Sequence, residues 1–274
     1  MPELPEVETV CRGLAGVLVG RRFAKVELRR KDLRIPFPKG LAAALTGAKV
    51  LRIYRRAKYV MMDLDTGQAL IAHLGMSGRM VIARDSAPPE THDHVIFTTD
   101  DGATIRFNDP RRFGLLTLAP ISALDDHKLF KHLGPDAMSE SLTPDYLSKA
   151  LKGRKTAIKV ALMDQRLVVG VGNIYASEAL HRAGISPKRK AGSVAGARAQ
   201  ALVPAIKQVL AEAIAAGGSS LRDHVQPSGE LGYFQNEWRV YGREGESCRC
   251  SNSAAVKRIV QGGRSTFFCV RCQS

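Results

Sequence analysis

The chain has 274 residues, and its 41 lysines and arginines exceed its 26 acidic residues, which gives a formal net charge of +15. This length is sufficient for two domains with separate hydrophobic cores. The basic excess indicates a polyanionic partner, most commonly nucleic acid, with an anionic membrane surface as the alternative. Because no apolar run approaches the ~20 residues of a spanning helix, and because the acidic start is unlike a signal peptide, we expect a cytoplasmic protein without a membrane partner.

The first residues combine a potential nucleophile with two carboxylates. After removal of Met1, the chain would begin with the secondary amine of Pro2. An α-amino group titrates near pH ~8, so part of it is unprotonated at neutral pH and can attack an electrophilic carbon to give an iminium ion. Glu3 and Glu6 are three positions apart, so a helix starting here places both carboxylates beside that amine. The alternative is an ordinary helix start, where proline and acidic residues are common.

Up to about residue 118 the pattern predicts one leading helix followed by short strands. Apolar residues recur at helical spacing from Val7 to Leu18, and Gly20 is placed to end that helix. Short segments rich in β-branched and apolar residues then alternate with Asp- and Gly-containing turns, which is typical of a sandwich or barrel. The predicted strands are 22–28, 50–54, 59–64, 80–83, 95–98 and 104–107.

Beyond a boundary at residues 133–136 the periodicity becomes helical, and the chain ends in a predicted hairpin. The predicted helices are 143–151, 156–163, 174–183 and 197–216. Strands at 256–260 and 265–268 flank Gly262-Gly263, a dipeptide that suits a type I′ turn. The fold class is therefore α+β. We expect three domains: a β-sandwich over 1–132, a helical domain over 133–236 that includes a long loop at 217–234, and a hairpin domain over 237–274.

Four of the five cysteines lie near the end of the chain, which predicts a metal site rather than disulfides. Cys269 and Cys272 are separated by two residues, as in half of a zinc knuckle, whereas a single residue separates Cys248 from Cys250. Four thiolates are the right number for a closed tetrahedral site. We therefore expect one structural Zn²⁺, and the alternative is a hairpin with free thiols.

The string Pro-Glu-Leu-Pro-Glu-Val-Glu-Thr at residues 2–9 resembles the amino terminus of bacterial formamidopyrimidine-DNA glycosylases, which remove 8-oxoguanine and ring-opened purines from DNA. Three later segments resemble the same family in order: Asp-Pro-Arg-Arg-Phe-Gly at 109–114, the stretch 163–176, and the cysteine hairpin. The resemblance covers nearly the whole chain. It implies an N-terminal sandwich, a helix–two-turn–helix domain and a zinc-ribbon-like hairpin.

The resemblance also implies the catalytic residues. Pro2 would attack C1′ of an extruded nucleotide, and Glu3 would act as general acid and base on the sugar. Glu6 would orient and tune the amine. Lys58, in the basic turn at 56–59, would contact the DNA backbone beside the lesion and assist catalysis; without the resemblance, this turn would be read as a solvated basic corner.

Residues that replace the extruded base are implied in two loops. An enzyme that acts on a base within a duplex must extrude it at a cost of a few kcal/mol, and apolar wedges commonly fill such gaps. Phe113 would be the wedge, Arg111 would pair with the orphaned cytosine and Arg112 would hold phosphate. The resemblance assigns Met76, an adaptable side chain, to the void left by the base, and His73 to a phosphate contact.

Further DNA contacts are implied in the second half of the chain. Glycines before Asn173 suggest that this residue caps a helix, and helix N-termini are natural phosphate sites; in the family, Asn173 would hold the backbone flanking the lesion. Lys159 would reach the same phosphates. Arg264 would enter the minor groove or contact phosphates, and the loop 217–234 would close over the extruded base.

The cysteine pattern departs from the family. The family usually has two residues within the first cysteine pair, whereas this chain has one, and the 18 residues between Cys250 and Cys269 exceed the family's usual number. A one-residue spacer tightens the first knuckle and removes the turn that normally donates amides to the sulfurs.

The resemblance predicts a monomeric, bifunctional DNA glycosylase and lyase that excises oxidised purines from double-stranded DNA and cleaves abasic sites by β,δ-elimination. Two alternatives remain. An endonuclease VIII-type enzyme would prefer oxidised pyrimidines, but it lacks Leu4 and has a different wedge from Arg111-x-Phe113. A non-catalytic DNA-binding protein would have the same charge, but would not need Pro2, Glu3 and Glu6 together.

Overall fold

The computed structural model describes residues 2–83, 88–219, 226–250 and 254–274. They form two compact units. The first unit contains Met1–Lys131 and Ile214–Gln235, and the second contains His132–Ala213 and Asn236–Ser274. None of the described helices is long and apolar enough to cross a membrane. The chain mixes an antiparallel sheet domain with a helical domain, so the expected α+β class is confirmed.

The first unit begins with helix α1 (Leu4–Leu18), whose N-cap is Glu3. The predicted apolar stripe is buried, with Val7, Leu14 and Leu18 each at most 1% exposed. The helix stops at Val19, and Gly20 follows with a positive φ of 87°. The α1 stripe packs in the core with residues of both sheets, and this packing fixes the position of the N-terminus.

The sheets of the first unit are both antiparallel and four-stranded. Their shared core contains apolar side chains from both sheets and α1, which is the sandwich arrangement that the short alternating segments predict. A short helix, α2 (Leu41–Leu45), also packs on this core. The strands of one sheet are β2 (Val50–Arg56), β3 (Tyr59–Leu64), β4 (Gln68–His73) and β8 (Leu115–Pro120), in that order. The strands of the other are β1 (Phe23–Leu28), β6 (Asp93–Thr99), β7 (Thr104–Asn108) and β5 (Arg79–Ala83), in that order.

The second unit contains the predicted helices and the predicted hairpin. The helices are α3 (Pro144–Leu151), α4 (Ile158–Leu162), α5 (Asn173–Arg182) and α6 (Ala197–Ala215), the last of which runs two residues into the first unit. Strands β9 (Val256–Gln261) and β10 (Arg264–Cys269) pair antiparallel. Gly262 and Gly263 both have positive φ, as a type I′ turn requires.

The segment Ile214–Gln235 differs from the expected domain division, because it clusters with the first unit rather than with the helices. The physical reason is hydrogen bonding to the N-terminal domain. The amide of Ser219 donates to the Glu6 carboxylate over 2.8 Å, and the amide of Ile82 donates to the carbonyl of Pro227 over 2.8 Å. Residues 220–225 of the expected loop 217–234 lie outside the described residues.

Candidate active site and nucleic-acid interface

The start of α1 forms a reciprocal capping box between the two predicted catalytic carboxylates. The Glu3 side chain accepts the backbone N–H of Glu6, and Glu6 Oε2 accepts the backbone N–H of Glu3 over 2.8 Å. Glu3 and Glu6 are 3% and 2% exposed, and Pro2 is buried beside them. The structure therefore brings Pro2, Glu3 and Glu6 together, as the sequence predicts.

Glu6 also fixes a distant segment of the same unit. Its second oxygen, Oε1, accepts the amide of Ser219 over 2.8 Å. Gly218 has a φ of +83°, and a Cβ at this position would lie 3.1 Å from Glu6 Oε1. A glycine is required here because the backbone conformation and the close approach both exclude a side chain. Glu6 thus connects the residue after Pro2 to the described base of the loop at 217–219.

Lys58 lies in the turn between β2 and β3, next to Ala57, whose φ is +58°. Its side chain is 7% exposed, so it is directed inward rather than forming a solvated corner. Burial, together with the positive charge of Lys58, lowers the pKa of His73. The neighbouring Arg56 lies over the Phe130 ring and pairs with Asp125.

The predicted void-filling and wedge residues lie around one cavity. A cavity of about 320 Å³ is lined by Arg34, His73, Gly75, Met76 and Phe113. Met76 and Phe113 are 39% and 44% exposed, which is unusual for large apolar side chains. Arg111 and Arg112 are also exposed, and the Arg111 guanidinium lies 4.9 Å from the centre of the Phe113 ring. Both apolar side chains are therefore accessible at the rim of this cavity.

The two loops that carry these residues are joined by Asp109, which is completely buried. Its Oδ1 accepts the Ser77 hydroxyl over 2.7 Å, and its Oδ2 accepts the amide of Gly114 over 2.8 Å. Ser77 Oγ in turn accepts the amide of Arg111 over 3.2 Å. A Cβ on Gly75 would lie 2.4 Å from the carbonyl carbon of Phe113, so the loops touch through their backbones.

The sequence pattern indicates no role for Ser77, and none for Asp109 although it begins the segment 109–114. The Asp-Pro start of the wedge loop is a turn signal. Ser77, which donates to Asp109, lies 32 residues earlier in the chain, and no local pattern identifies so distant a contact.

His73 ends β4 and is partly buried. Its Nδ1 accepts the amide of Gly75 over 2.9 Å. Burial, together with the charges of Lys58 and Arg34, lowers the pKa of His73 to about 4. The ring is therefore neutral at physiological pH, and Nε2–H is its remaining donor for a phosphate oxygen.

This pKa predicts a specific loss of stability in acid. Since the unfolded chain binds a proton on His73 near pH 6.5 and the folded protein near pH 4, lowering the pH through this window favours unfolding. Between about pH 7 and about pH 5, we expect the free energy of unfolding to fall less for His73→Asn than for the wild-type protein. The asparagine oxygen can still accept the amide of Gly75, but the side chain does not titrate. Urea unfolding at both pH values measures the difference. An unchanged pH dependence in the variant would contradict this assignment.

In the second unit, Asn173 is the first residue of α5 rather than its cap, which is Gly172. Its side chain is used elsewhere: Oδ1 accepts the Lys159 ammonium, and Nδ2 donates to Tyr241 Oη over 3.1 Å and to the carbonyl of Ser265 over 3.0 Å. The predicted N-cap is therefore wrong, because a buried cation competes successfully for the amide oxygen. Lys159 itself is 0% exposed, so in this structure it supports Asn173 from behind and does not face solvent.

The C-terminal segment is held on α5 by a second polar side chain. Glu178 is completely buried and accepts the amides of Arg239, Val240 and Tyr241 over 3.0, 3.0 and 2.9 Å. Arg264, the predicted groove or phosphate contact, is exposed directly after the turn at Gly262-Gly263. No local pattern indicates the role of Glu178, because its partners are backbone amides 61 to 63 residues later in the chain.

The four cysteine sulfurs of the hairpin lie within 4.8 Å of one another. The Sγ atoms are 3.9 Å apart for Cys248 and Cys272, and 4.0 Å apart for Cys250 and Cys269. A tetrahedral zinc site with bonds of about 2.3 Å places its sulfurs about 3.8 Å apart. The donor set therefore fits a metal ion such as Zn²⁺ despite the one-residue spacer. Burial raises the pKa of the Cys248 thiol to about 11, so its thiolate form requires a compensating cation.

Comparisons with known proteins find similar sequences and structures over the whole chain. The family model described as the formamidopyrimidine-DNA glycosylase N-terminal domain matches residues 1–116. A second family model, the formamidopyrimidine-DNA glycosylase H2TH domain, matches residues 133–225. The formamidopyrimidine-DNA glycosylase of Acidiphilium cryptum is 57% identical over 277 residues, covering 100% of both chains.

Solved structures from Lactococcus lactis are also similar over 100% of both chains. An FPG mutant in complex with a Fapy-dG containing DNA is 34% identical, with a TM-score of 0.92. The wild-type FPG in complex with an oxidised pyrimidine containing DNA is also 34% identical, with a TM-score of 0.91. The chain therefore belongs to the formamidopyrimidine-DNA glycosylase family.

Proposed function

We propose that this protein, as a base-excision-repair DNA glycosylase, removes oxidised purines from duplex DNA through covalent attack by Pro2 and then cleaves the strand as a lyase. The observation that carries the proposal is the buried capping box beside Pro2, because an architectural DNA-binding protein has no need for two desolvated carboxylates at this amine. We further propose that it acts as a monomer on DNA in the cytoplasm.

The reaction begins when the unprotonated nitrogen of Pro2 attacks C1′ of the extruded nucleotide. The bond from C1′ to the base breaks, and the base leaves with the electron pair, which oxidation of the purine stabilises. Glu3 takes the proton from the Pro2 nitrogen and delivers it to the ring oxygen as the bond from C1′ to that oxygen breaks, which leaves an iminium ion between Pro2 and C1′.

The iminium ion then makes strand cleavage possible, because it acidifies the proton on C2′. Loss of this proton expels the 3′ phosphate, and a second elimination expels the 5′ phosphate. Water finally hydrolyses the sugar from Pro2 and restores the amine. Throughout, Glu6 acts as a positioning residue, because its carboxylate holds the amide of Glu3 and the amide of Ser219.

Each unit would contribute residues that contact the damaged DNA. In the first unit, Phe113 would enter the stack, Met76 would fill the void, and Arg111 would pair with the orphaned cytosine; the exposure of all three supports these roles. Lys58, Arg112 and His73 would contact the DNA backbone. In the second unit, Asn173 and Arg264 would contact DNA, and Lys159 would act through Asn173.

One Zn²⁺ would be held by Cys248, Cys250, Cys269 and Cys272. It would close the open end of the hairpin, opposite the turn that precedes Arg264. The zinc would supply structural rigidity and would take no part in the chemistry at C1′.

Borohydride trapping tests the nucleophile. We expect reduction during turnover on an 8-oxoguanine duplex to yield a covalent adduct, because the iminium ion is reduced to a stable amine. Peptide mapping should locate the DNA remnant on Pro2, with Met1 absent. Lys58→Arg is the matched control, since arginine keeps the charge but cannot form an iminium ion; it should still give the adduct at Pro2. An adduct on a lysine, or active protein that retains Met1, would overturn the proposed mechanism.

The wedge is tested by Phe113→Ala. We expect kcat/KM for excision of 8-oxoguanine from duplex DNA to fall by about 10-fold or more, because the wedge offsets part of an extrusion cost of a few kcal/mol. Cleavage of a single-stranded abasic substrate should change little, since no base needs to be extruded. Val19→Ala is the control, because both side chains are 44% exposed. Equal losses on both substrates would indicate damage to the fold instead.

Oxidised pyrimidines are the second candidate substrate class, because a similar Lactococcus lactis protein was solved with such a DNA. We expect a higher kcat/KM for 8-oxoguanine opposite cytosine than for thymine glycol, because Arg111 would pair with the orphaned cytosine. Arg111→Ala should reduce the preference for cytosine opposite the lesion. A preference for thymine glycol in the wild-type protein would favour the endonuclease VIII-type alternative.

A further inference from the structure

His181 lies one turn beyond Glu178 on α5 and contacts the cysteine cluster. Its Nε2 is 3.2 Å from the sulfur of Cys248 and 3.4 Å from the sulfur of Cys272. The side chain is 7% exposed. One ring nitrogen therefore touches one sulfur from each of the two cysteine pairs.

The surroundings of the other ring nitrogen show which nitrogen of His181 carries the proton. Nδ1 of His181 is buried and has no hydrogen-bond partner among the described residues. A buried N–H without a partner costs more than a buried lone pair, so the ring proton belongs on Nε2. Metal-bound thiolates carry no proton and can only accept, so Nε2–H is the donor to both sulfurs.

The two cysteine pairs differ in the length of chain between their members. Two residues separate Cys269 from Cys272, whereas a single residue separates Cys248 from Cys250. The shorter spacer offers fewer backbone amides to the sulfurs. A side-chain donor from outside the hairpin is well placed to support the shorter knuckle, since hydrogen bonds to ligand atoms orient and stabilise a metal site.

We propose that His181 is a positioning residue of the metal site, which donates its Nε2–H to the thiolates of Cys248 and Cys272 without ligating the metal. This inference rests on the proposed zinc site but is independent of the proposed excision chemistry.

The same helix connects the metal site to a proposed DNA contact. Asn173 at the start of α5 holds Tyr241 and Ser265, and Glu178 in its middle holds the amides of residues 239–241. His181 adds a third connection, at the end of α5, to the sulfurs themselves. The metal site would thus help to hold the hairpin on the helix whose first residue is Asn173.

Metal binding to the full-length protein tests this role. We expect the protein as purified to contain one equivalent of zinc by elemental analysis. His181→Phe keeps the ring but removes the donor, and it should weaken zinc affinity and accelerate zinc release to a chelator by about 10–100-fold. His181→Gln, whose amide N–H can reach the position of Nε2, should remain close to wild type. His132→Phe changes an exposed histidine of the same unit and should have no effect.

Cobalt substitution separates an outer donor from a ligand. The intensity of the thiolate-to-cobalt charge-transfer band reports the number of bound sulfurs, and we expect four in the wild-type protein and in His181→Phe. Unchanged affinity in His181→Phe, an equal loss in His181→Gln, or three sulfurs in the wild-type protein would overturn the proposal. Wild-type protein that binds no metal would refute the zinc site itself, whereas the borohydride adduct at Pro2 would report on the excision chemistry separately.

Discussion

The proposed active site depends on two hydrogen bonds that the Glu6 carboxylate accepts. One oxygen accepts the amide of Glu3 and the other accepts the amide of Ser219, 213 residues further along the chain. Hydrogen bonds to a buried charged group contribute about 1.5–3 kcal/mol each, so the buried carboxylate holds both amides in place. Because Pro2 directly precedes Glu3, the same contact that caps α1 also fixes the start of the chain relative to the segment expected to recognise the base.

Local patterns were sufficient to predict most of the elements. The stripe from Val7 to Leu18 predicted α1, and Gly262-Gly263 predicted the hairpin turn with both residues at positive φ. The sequence could not show that Ile214–Gln235 joins the first unit, because this depends on hydrogen bonds to Glu6 and Ile82. Asp109 and Ser77 were missed for the same reason. In each case two polar groups meet only after the sheets have formed, and neither group carries a local signal for its partner.

Asn173 illustrates how a correct local rule fails through competition. Asparagine before a helix normally accepts a backbone amide as N-cap. Here Gly172 is extended and serves as the cap, so that Asn173 enters the first turn and its oxygen accepts the buried ammonium of Lys159. A cation at 0% exposure requires a strong acceptor, since its desolvation is costly. The buried ammonium therefore takes the oxygen that would otherwise cap the helix. The Asn173 Nδ2 then donates to Tyr241 Oη and to the carbonyl of Ser265.

The net charge predicts a polyanionic partner but not the residues that touch it. Arg56 pairs with Asp125, Arg182 with Glu212 and Arg243 with Glu246, so these three arginines are engaged within the protein. Zinc bound by four thiolates would carry a net charge of −2, so the metal site itself would offset part of the positive charge of the chain. The proposed DNA contacts Arg111, Arg112 and Arg264 are distinguished from these arginines by their exposure on loops and turns, and not by charge alone.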